Sequence, residues 1–191
     1  MVGPHARLTR FLPLVLCVAS GLAAAATPAW IVDATCRDGQ PHGHYELRNG
    51  EGALRVAGAF HYGKRTGSFI FWNDRGTRIA HIPYDEGVRN GTLATWYDAR
   101  TGGAEPPRRF ESAWRRGTRD GLTRTWYADG HHRSETEYAR GRLLSSAGWS
   151  NAGARLTERG ARELADRDAA AADALYAELE ALVQKHLPDC D

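Results

Sequence analysis

The sequence has little sulfur, little net charge and none of the common signatures of an enzyme. Its 191 residues include three cysteines and one methionine. It contains no Gly-x-Ser-x-Gly, no phosphate-binding glycine loop and no His-Glu-x-x-His. The formal net charge is +2, whereas a general nucleic-acid binder needs a basic excess to displace counterions. We therefore expect no enzyme activity, no cofactor and no nucleic-acid partner.

The longest apolar run lies near the N-terminus and does not have the length of a membrane span. Arg7 and Arg10 precede an apolar stretch from Phe11 to Leu22, and Ala24-Ala25-Ala26 follows it. A positive start, an apolar core and small residues are the features of a secretory signal. The pattern predicts a signal peptide at 1–26 and an exported protein, periplasmic or secreted.

The cysteines bear on the same question. An alternative is a lipoprotein anchored through Cys17, although Leu16 stands where such signals carry a small residue. Removal of 1–26 leaves Cys36 and Cys190, and an even pair in an oxidising compartment usually forms a bridge. A Cys36–Cys190 disulfide would close nearly the whole chain into one loop, for which loop-entropy models give about 4–5 kcal/mol.

The middle of the chain repeats itself. Copies begin at Gly43, Gly67, Gly91 and Gly121, so the period is 24 residues and is once stretched to 30. Each copy ends with an aromatic residue, two further residues and a glycine, and three copies have a tryptophan five residues after their first glycine. The aromatic residues in phase are Phe60, Tyr84, Trp114 and Tyr138, the glycines are Gly63, Gly87, Gly117 and Gly141, and the tryptophans are Trp72, Trp96 and Trp126. Such regularity indicates a repeat array.

The organisation resembles the MORN repeat in the variant form found in bacterial proteins. Trp96-Tyr97-Asp98 and Trp126-Tyr127-Ala128-Asp129-Gly130 match the middle of that motif, while Asn73 replaces the second aromatic residue after Trp72. The resemblance covers roughly 43–148. It implies stacked hairpins that serve as binding or scaffolding surfaces, and some relatives are labelled antitoxin- or immunity-type proteins.

Each copy is expected to form a β-hairpin. In the second copy, Ser68–Trp72 and Ile79–Tyr84 are rich in strand formers and flank a turn at Asn73–Gly76. Successive hairpins would stack into one long meandering antiparallel sheet, because no hairpin buries its apolar face alone. The repeat glycines are expected at positive φ or at close backbone approaches. The sequence therefore predicts a mainly β fold over 43–148.

The two flanks differ from the repeats. The lead-in at 27–42 contains Trp30-Ile31-Val32, which is either a short edge strand or a plug. Trp149–Gly153 resembles the start of another copy but lacks a return strand, and the region 149–191 becomes helical from about Thr157.

The helix is expected to cap the last hairpin. Leu175, Leu179, Leu182 and Val183 form an apolar stripe at helical spacing, and Asp166 or Asp168 is the predicted N-cap. A coiled-coil dimer is the alternative, but the stripe is short, so we favour a monomer.

Charge is divided between the two regions. From Asp38 to Ser145 there are 17 Lys/Arg and 13 Asp/Glu, and from Ala147 to Asp191 there are 5 and 9. The basic repeats and the acidic tail either attract each other within the molecule or simply reflect the usual surfaces of sheet and helix.

The candidate partner-binding residues are tyrosines and arginines of the third and fourth copies. The phased aromatic residues are interpreted as core, whereas Tyr97 and Tyr127 directly follow a tryptophan and point to the other face. If that face is not covered by the helix, they form an exposed aromatic ladder. The full set is Tyr97, Tyr127, Arg108, Arg109, Arg115, Arg116, Arg119 and Arg124. The inserted loop Asp98–Pro107 is either part of the binding face or a tolerated insertion.

Two other patterns carry less weight. Glu135 and Glu137 share a strand face, but a solvated face explains them better than catalysis. His42-Gly43-His44 and His131-His132 lie at opposite ends of the array without a partner at a known metal-site spacing.

The sequence thus predicts an exported, non-enzymatic protein-interaction module of the cell envelope, with another protein as its partner. The alternative is a structural protein that contacts anionic lipid or glycan through its basic sheet.

Overall fold

The computed structural model describes residues 29–98 and 106–191 and contains eleven antiparallel strands in one open sheet, followed by a single C-terminal helix. The strands are β1 Ile31–Arg37, β2 Gln40–Arg48, β3 Leu54–His61, β4 Lys64–Trp72, β5 Arg78–Asp85, β6 Val88–Arg89, β7 Gly91–Trp96, β8 Arg108–Arg115, β9 Thr118–Trp126, β10 His132–Ala139 and β11 Arg142–Gly148; the helix α1 is Glu158–Lys185. The predicted mainly β array of stacked hairpins is confirmed. The predicted signal segment at 1–26, with Cys17, and residues 99–105 of the inserted loop lie outside the described residues.

The sheet is a meander in which spatial order follows chain order. The path is β1-β2-β3-β4-β5-β7-β8-β9-β10-β11, and β6 continues the pairing with β5 on the way to β7. Ile31 to Arg37 pairs with β2 as the first strand of the sheet, so the edge-strand alternative for the lead-in is correct.

One border of the sheet, which we call the turn edge, consists of two-residue turns. Its five turns are Asp38-Gly39, Tyr62-Gly63, Glu86-Gly87, Arg116-Gly117 and Arg140-Gly141, with φ between 45° and 84° at every position. Positive φ at both positions is the type I′ hairpin turn, whose twist matches that of the strands. The second position is therefore glycine.

The turn glycines also link neighbouring copies. The Gly63 N–H donates to Pro41 O at 2.9 Å, and the Gly87 N–H donates to Arg65 O at 3.0 Å. Gly117 and Gly141 repeat the contact with Arg89 O and Arg119 O. The glycine that follows each phased aromatic residue in the sequence is therefore the residue whose N–H donates a hydrogen bond to the preceding hairpin.

The opposite border, the loop edge, carries longer loops. A backbone hydrogen bond closes each of these five loops. The pairs, N–H donor first, are Asn49 with Ala53 O, Asn73 with Thr77 O, Tyr97 with Pro107 O, Tyr127 with His131 O, and Ser150 with Ala154 O. The last loop belongs to the incomplete copy, whose return strand is reduced to a single bridge between Trp149 and Arg155. The predicted decay of the repeat at that point is confirmed.

Helix α1 covers the last hairpin, as predicted, and then continues across the entire sheet, which was not predicted. Its 28 residues rise about 42 Å, and the nine inter-strand gaps from β1 to β11 span about 43 Å. The contacts follow the chain in order: Leu164 with Gly148, Asp168 with Thr125, Tyr176 with Phe110, Glu180 with Tyr84, and His186 with Tyr45.

The N-cap of the helix is Thr157, not Asp166 or Asp168. The Thr157 side chain accepts a hydrogen bond from the Gly160 N–H. The negative charge of Glu158 in the first turn interacts favourably with the positive end of the helix dipole. The helix therefore begins eight residues or more before the predicted caps, which leaves both aspartates inside it. Asp168 is free to contact the sheet, as described below.

The predicted disulfide is present and anchors the far end of the helix. Cys36 on β1 and Cys190 beyond α1 are bonded, with 5.6 Å between their Cα atoms and a sequence separation of 154. Edge strand and C-terminus are thus joined where the helix leaves the sheet.

We call the side of the sheet under α1 the helix face and the other side the open face. One cross-strand row of the helix face runs Val32, Leu47, Val56, Phe71, Ala80, Thr95, Phe110, Thr125, Ser134 and Gly148. The row is apolar as far as Ala80 and then carries hydroxyl groups. Leu179 and Val183 of the predicted stripe are buried against the sheet, and Leu175 and Leu182 pack beside them.

Candidate functional site

Three in-phase arginines at the turn edge bind the helix. The Arg65 guanidinium donates to Glu180 O at 3.2 Å, Arg89 pairs with the Glu180 carboxylate at 2.8 and 2.9 Å, and Arg119 pairs with Asp173 at 2.7 and 3.1 Å. Asp173 and Glu180 are two helical turns apart, about 10.5 Å, which matches the roughly 9.6 Å between every second strand. Of the two alternatives for the basic repeats and the acidic tail, these pairs support attraction within the molecule.

Glu180 is the centre of this network. It accepts from the Tyr84 hydroxyl at 2.6 Å as well as from Arg89. Burial alone would raise the pKa of Glu180, but the hydrogen bonds from Arg89 and Tyr84 and the charges of Arg89 and Arg65 bring it below its ordinary value. Burial, and then the bond to Glu180, raise the pKa of Tyr84. Both groups therefore hold the protonation states that the bond requires.

Asp168 binds the hydroxyl-bearing part of the helix face. Its carboxylate accepts from Thr125 Oγ1 at 2.8 Å and pairs with Arg133 at 3.0 Å. Thr125 Oγ1 also lies 2.7 Å from Ser134 Oγ, and Ser112 Oγ lies 2.6 Å from Thr123 Oγ1. Buried hydroxyl groups are costly unless they are hydrogen-bonded, and this chain of contacts satisfies them.

A cationic cleft opens at the loop edge beside Asp168. Its volume is about 320 Å³, and its lining includes Tyr97, Arg109, Arg133 and Arg167 over a floor that contains Phe110. The Arg109 guanidinium lies over the Tyr97 ring at 5.7 Å. Arg133 is paired with Asp168, whereas no described carboxylate forms an ion pair with Arg109 or Arg167. The cleft therefore has an excess of positive charge.

An apolar cleft lies along the same side of the helix, nearer its C-terminus. It has a volume of about 380 Å³ and is lined chiefly by Trp30, Phe71, Ile79, Leu179 and Leu182, with the end of β4 at Trp72 on its border. Arg55, Glu178 and Lys185 add charge to its lining. Leu175 lines both clefts, so the two meet at its side chain.

The tryptophans in phase lie on the open face, which differs from their interpretation as core. Trp72 follows the buried Phe71, and Trp96 follows the buried Thr95, so alternation along the strand places them away from the helix. Trp96 is nevertheless only 7% exposed, because Arg78 and Arg108 lie over its ring at 4.1 and 5.4 Å. Phe60, Tyr84 and Tyr138 are buried on the helix face, with Trp114 packed partly beside them.

Tyr97 and Tyr127 do not form an exposed ladder. They point to the face opposite the tryptophans, as predicted, but that is the helix face, where both are half-buried. The Tyr97 hydroxyl donates to Trp126 O and the Tyr127 hydroxyl to Trp149 O, each at 2.8 Å. Burial raises the pKa of Tyr97, so the phenol keeps the proton that it donates. Each tyrosine joins its own copy to the next.

The predicted arginines are spread over three places. Arg108 and Arg124 lie on the open face, where they pair with Glu111 and Glu135. Arg115 and Arg116 are exposed at the turn edge. Arg119 has a side chain that is only 12% exposed and is bound to Asp173, so it is not available to a partner.

Of the proposed set, only Tyr97 and Arg109 meet in the cationic cleft. Arg133, Arg167 and Asp168 complete the cleft and were missed. Arg133 occupies the same place after Trp126 that Arg109 occupies after Trp96, across the loop in each copy, so the repeat alignment contained a signal for it. Nothing in the repeat pointed to the two helix residues.

The remaining candidate residues are placed as follows. Glu135 and Glu137 share the open face, where Arg124 pairs with Glu135 at 2.8 Å. The rings of His42 and His61 are 5.2 Å apart at the turn edge. Among residues 29–98 and 106–191, no three His, Cys, Asp or Glu side chains are grouped to hold a metal ion.

The comparisons with known proteins give no family. No protein-family model matches the chain, and a search of curated proteins finds no match. The Cys36–Cys190 disulfide is compatible with an exported protein. Within the described part of the chain, no helix has the length and apolarity to span a membrane.

Proposed function

We propose that this chain is an exported, non-enzymatic protein-interaction module of the cell envelope. The observation that carries the proposal is the unequal use of the two sheet faces. Helix α1, three arginine–carboxylate pairs and a disulfide brace one face, and the other face carries phased tryptophans and arginines. A rigid surface rich in tryptophan and arginine has the composition of protein-binding hot spots.

The open face offers a continuous contact surface. One of its cross-strand rows runs Asp33, Glu46, Ala57, Ile70, His81, Ala94, Glu111, Arg124, Glu135 and Ala147. Burial, and then the charges of Arg78 and Arg108, lower the pKa of His81. The centre of the row is thus uncharged and flanked by charged groups, which is the usual arrangement of an interface core and its rim.

The resemblance to MORN-variant repeats suggests which kind of interaction this is. Some proteins with such repeats are labelled antitoxin- or immunity-type, and the partner would then be a toxin. A rigid sheet can inhibit a toxin by binding it, without catalysing any reaction. A monomer is sufficient for such binding.

The test is capture of tagged protein from its native envelope fraction, with two matched variants. Leu122 is 41% exposed on the open face and Val88 is 45% exposed at the turn edge, so Leu122→Arg and Val88→Arg add the same charge at similar exposure. We expect one protein at near-equal amount that survives high salt, is lost with Leu122→Arg and is kept with Val88→Arg. Equal retention by both variants would contradict the proposal.

A second candidate function rests on the turn edge. Lys64, Arg115, Arg116, Arg140 and Arg142 are exposed there, and each basic group near an anionic surface contributes about 1 kcal/mol at physiological salt. The edge would then contact anionic lipid or glycan in the envelope. If the parent protein, with Val88 unsubstituted, retained only lipid or glycan, and high salt removed it, that result would favour this function.

A further inference from the structure

The two clefts at the loop edge form one groove along a single face of α1. Helix residues Asp168, Ala171, Leu175, Glu178, Leu182 and Lys185 line the clefts in turn. Their three- and four-residue spacing places them on one helix face, and Leu175 belongs to both clefts. From Arg167 to Leu182 the helix rises about 22 Å, which sets the length of the groove.

The groove is strongly polarised along that length. At the Arg167 end stand three guanidinium groups, and only Arg133 has a carboxylate, Asp168, bound to it in the described structure. Toward the Leu182 end the lining is mainly aromatic and aliphatic carbon from Trp30, Phe71, Ile79 and Leu179. The charged groups of that end, Arg55, Glu178 and Lys185, include a carboxylate and so do not form a purely cationic surface.

We propose that the groove binds a long-chain carboxylate, with its head at Arg109 and Arg167 and its chain along the apolar half. A planar guanidinium matches a carboxylate with two parallel hydrogen bonds. A groove of about 22 Å accommodates an extended chain of about 16 carbons. The site is independent of the partner surface on the open face.

Two features favour an acyl chain over a peptide as the occupant. The sheet presents strand ends and loops to the groove, not the unpaired side of a strand, so a peptide would not add to the ladder as another strand. Peptide N–H and C=O groups laid along Phe71, Ile79 and Leu182 would lose their hydrogen bonds to water, which is costly. An acyl chain has no such groups.

The site also explains why Leu175 and Leu182 are incompletely covered. Leu179 and Val183, on the same helix, are buried by the sheet. Leu175 and Leu182 keep part of their surface in the groove. An apolar chain against them would remove that surface from water, at about 25 cal/mol per Å².

The test uses the full mature protein, stripped of bound lipid, with three probes. These are palmitate, the uncharged hexadecanol of the same chain length, and acetate as the head alone. We expect palmitate to bind at one site, hexadecanol to bind at least about tenfold more weakly because it lacks the charged hydrogen bonds, and acetate to show no binding. Equal binding of palmitate and hexadecanol would overturn the proposal, as would the absence of palmitate binding.

Paired variants locate the head and the chain. Arg109→Ala with Arg167→Ala should weaken palmitate about tenfold or more and leave hexadecanol unchanged. Arg159→Ala with Arg162→Ala removes the same charge from exposed positions of the same helix and should change neither. Bromine-labelled palmitate should quench fluorescence less in Trp30→Phe than in the parent, because Trp30 lines the apolar half of the groove. Equal loss in both arginine pairs, or quenching that is the same in Trp30→Phe and the parent, would overturn the site.

Discussion

The two halves of the helix face have the same backbone and different chemistry. From β2 to β5 the buried side chains are apolar, with Tyr45, Phe69 and Ile82 fully covered. From β8 to β10 the buried set is dominated by hydroxyl groups, with Ser112, Thr123, Thr125, Ser134 and Thr136 almost fully covered. The helix changes with the sheet, since Tyr176, Leu179 and Val183 cover the apolar half, whereas Ala161, Ala165 and Asp168 lie toward the hydroxyl half.

The backbone of the sheet is the same in both halves, so the hairpin repeat determines the sheet. The helix side chains differ, and they are apolar where the sheet is apolar and polar or small where the sheet carries hydroxyl groups. In the apolar half, burial of carbon drives the contact. In the hydroxyl half, hydrogen bonds between Ser112 and Thr123, and from Thr125 to Asp168, replace part of that burial. Each such bond contributes about 1 kcal/mol net, so the apolar half should contribute more to stability.

Removal of the Phe69 ring, in the apolar half, should lower stability more than any other change proposed for these two halves. The ring lies edge-on to those of Phe60 and Tyr84, at 5.5 and 5.4 Å between centroids, and is fully buried. Phe69→Ala should lower the free energy of unfolding by about 4 kcal/mol. Urea denaturation measures it, and a loss below about 1 kcal/mol would show that the apolar half is not the dominant core.

Loss of the disulfide should have the next largest effect and should act on the same half. Cys36→Ser with Cys190→Ser should lower stability by about 3 kcal/mol, the usual measured contribution of a disulfide, which is smaller than the value from loop-entropy models. Hydrogen exchange should speed up more in the C-terminal turns of α1, over the apolar half, than near Thr157. Uniform acceleration along the helix would contradict this view of the bridge as a local anchor.

Substitution of Glu180 measures how much the ion pair with Arg89 adds to the stability of the apolar half. Glu180→Gln leaves Arg89 without its charged partner and should cost about 2 kcal/mol at neutral pH, because the pair is partly buried. Since the pKa of Glu180 lies below its ordinary value of 4.5 when folded, its contribution is present above that pH and is lost as the pH falls through the folded pKa. Parent and variant should therefore converge in acid, and a gap that stayed constant with pH would refute the assignment.

A conservative change in the hydroxyl half should have the smallest effect. Thr123→Val keeps the shape of a residue that is 3% exposed but removes the hydroxyl bonded to Ser112. We expect a loss of about 1 kcal/mol. The double change with Ser112→Ala should cost less than the sum of the single changes, which a double-mutant cycle measures; strict additivity would mean that the bond contributes nothing.

Much of the architecture was predictable because the turns leave a record in the sequence. Gly63 and Gly87 recur in phase since their turns need positive φ, as the structure has it. The pairing of Cys36 with Cys190 was expected because they are the two cysteines outside the predicted signal segment, 1–26. The decay of the repeat at Trp149 was also visible from the absent return strand.

The path of the helix was not predictable, because it depends on lengths that no local pattern encodes. Its cap at Thr157 was missed in favour of Asp166 or Asp168, whose side chains are equally suitable. Asp168 instead bonds to Thr125 across 43 residues of sequence. The choice of face for Trp72 and Trp96 was missed as well. Both faces look apolar where β4 ends in Phe71-Trp72, and in β7 the larger and more apolar Trp96 turns away from the helix while Thr95 faces it.

The central claim is that a partner protein binds the open face, and face-selective photo-crosslinking in intact cells tests it most directly. A photoreactive residue would be introduced at Leu122, on the open face, and at Ala177, on the exposed side of α1. We expect one discrete protein adduct from position 122 and none from position 177. An adduct from position 177 alone, or no protein adduct from position 122, would contradict the account.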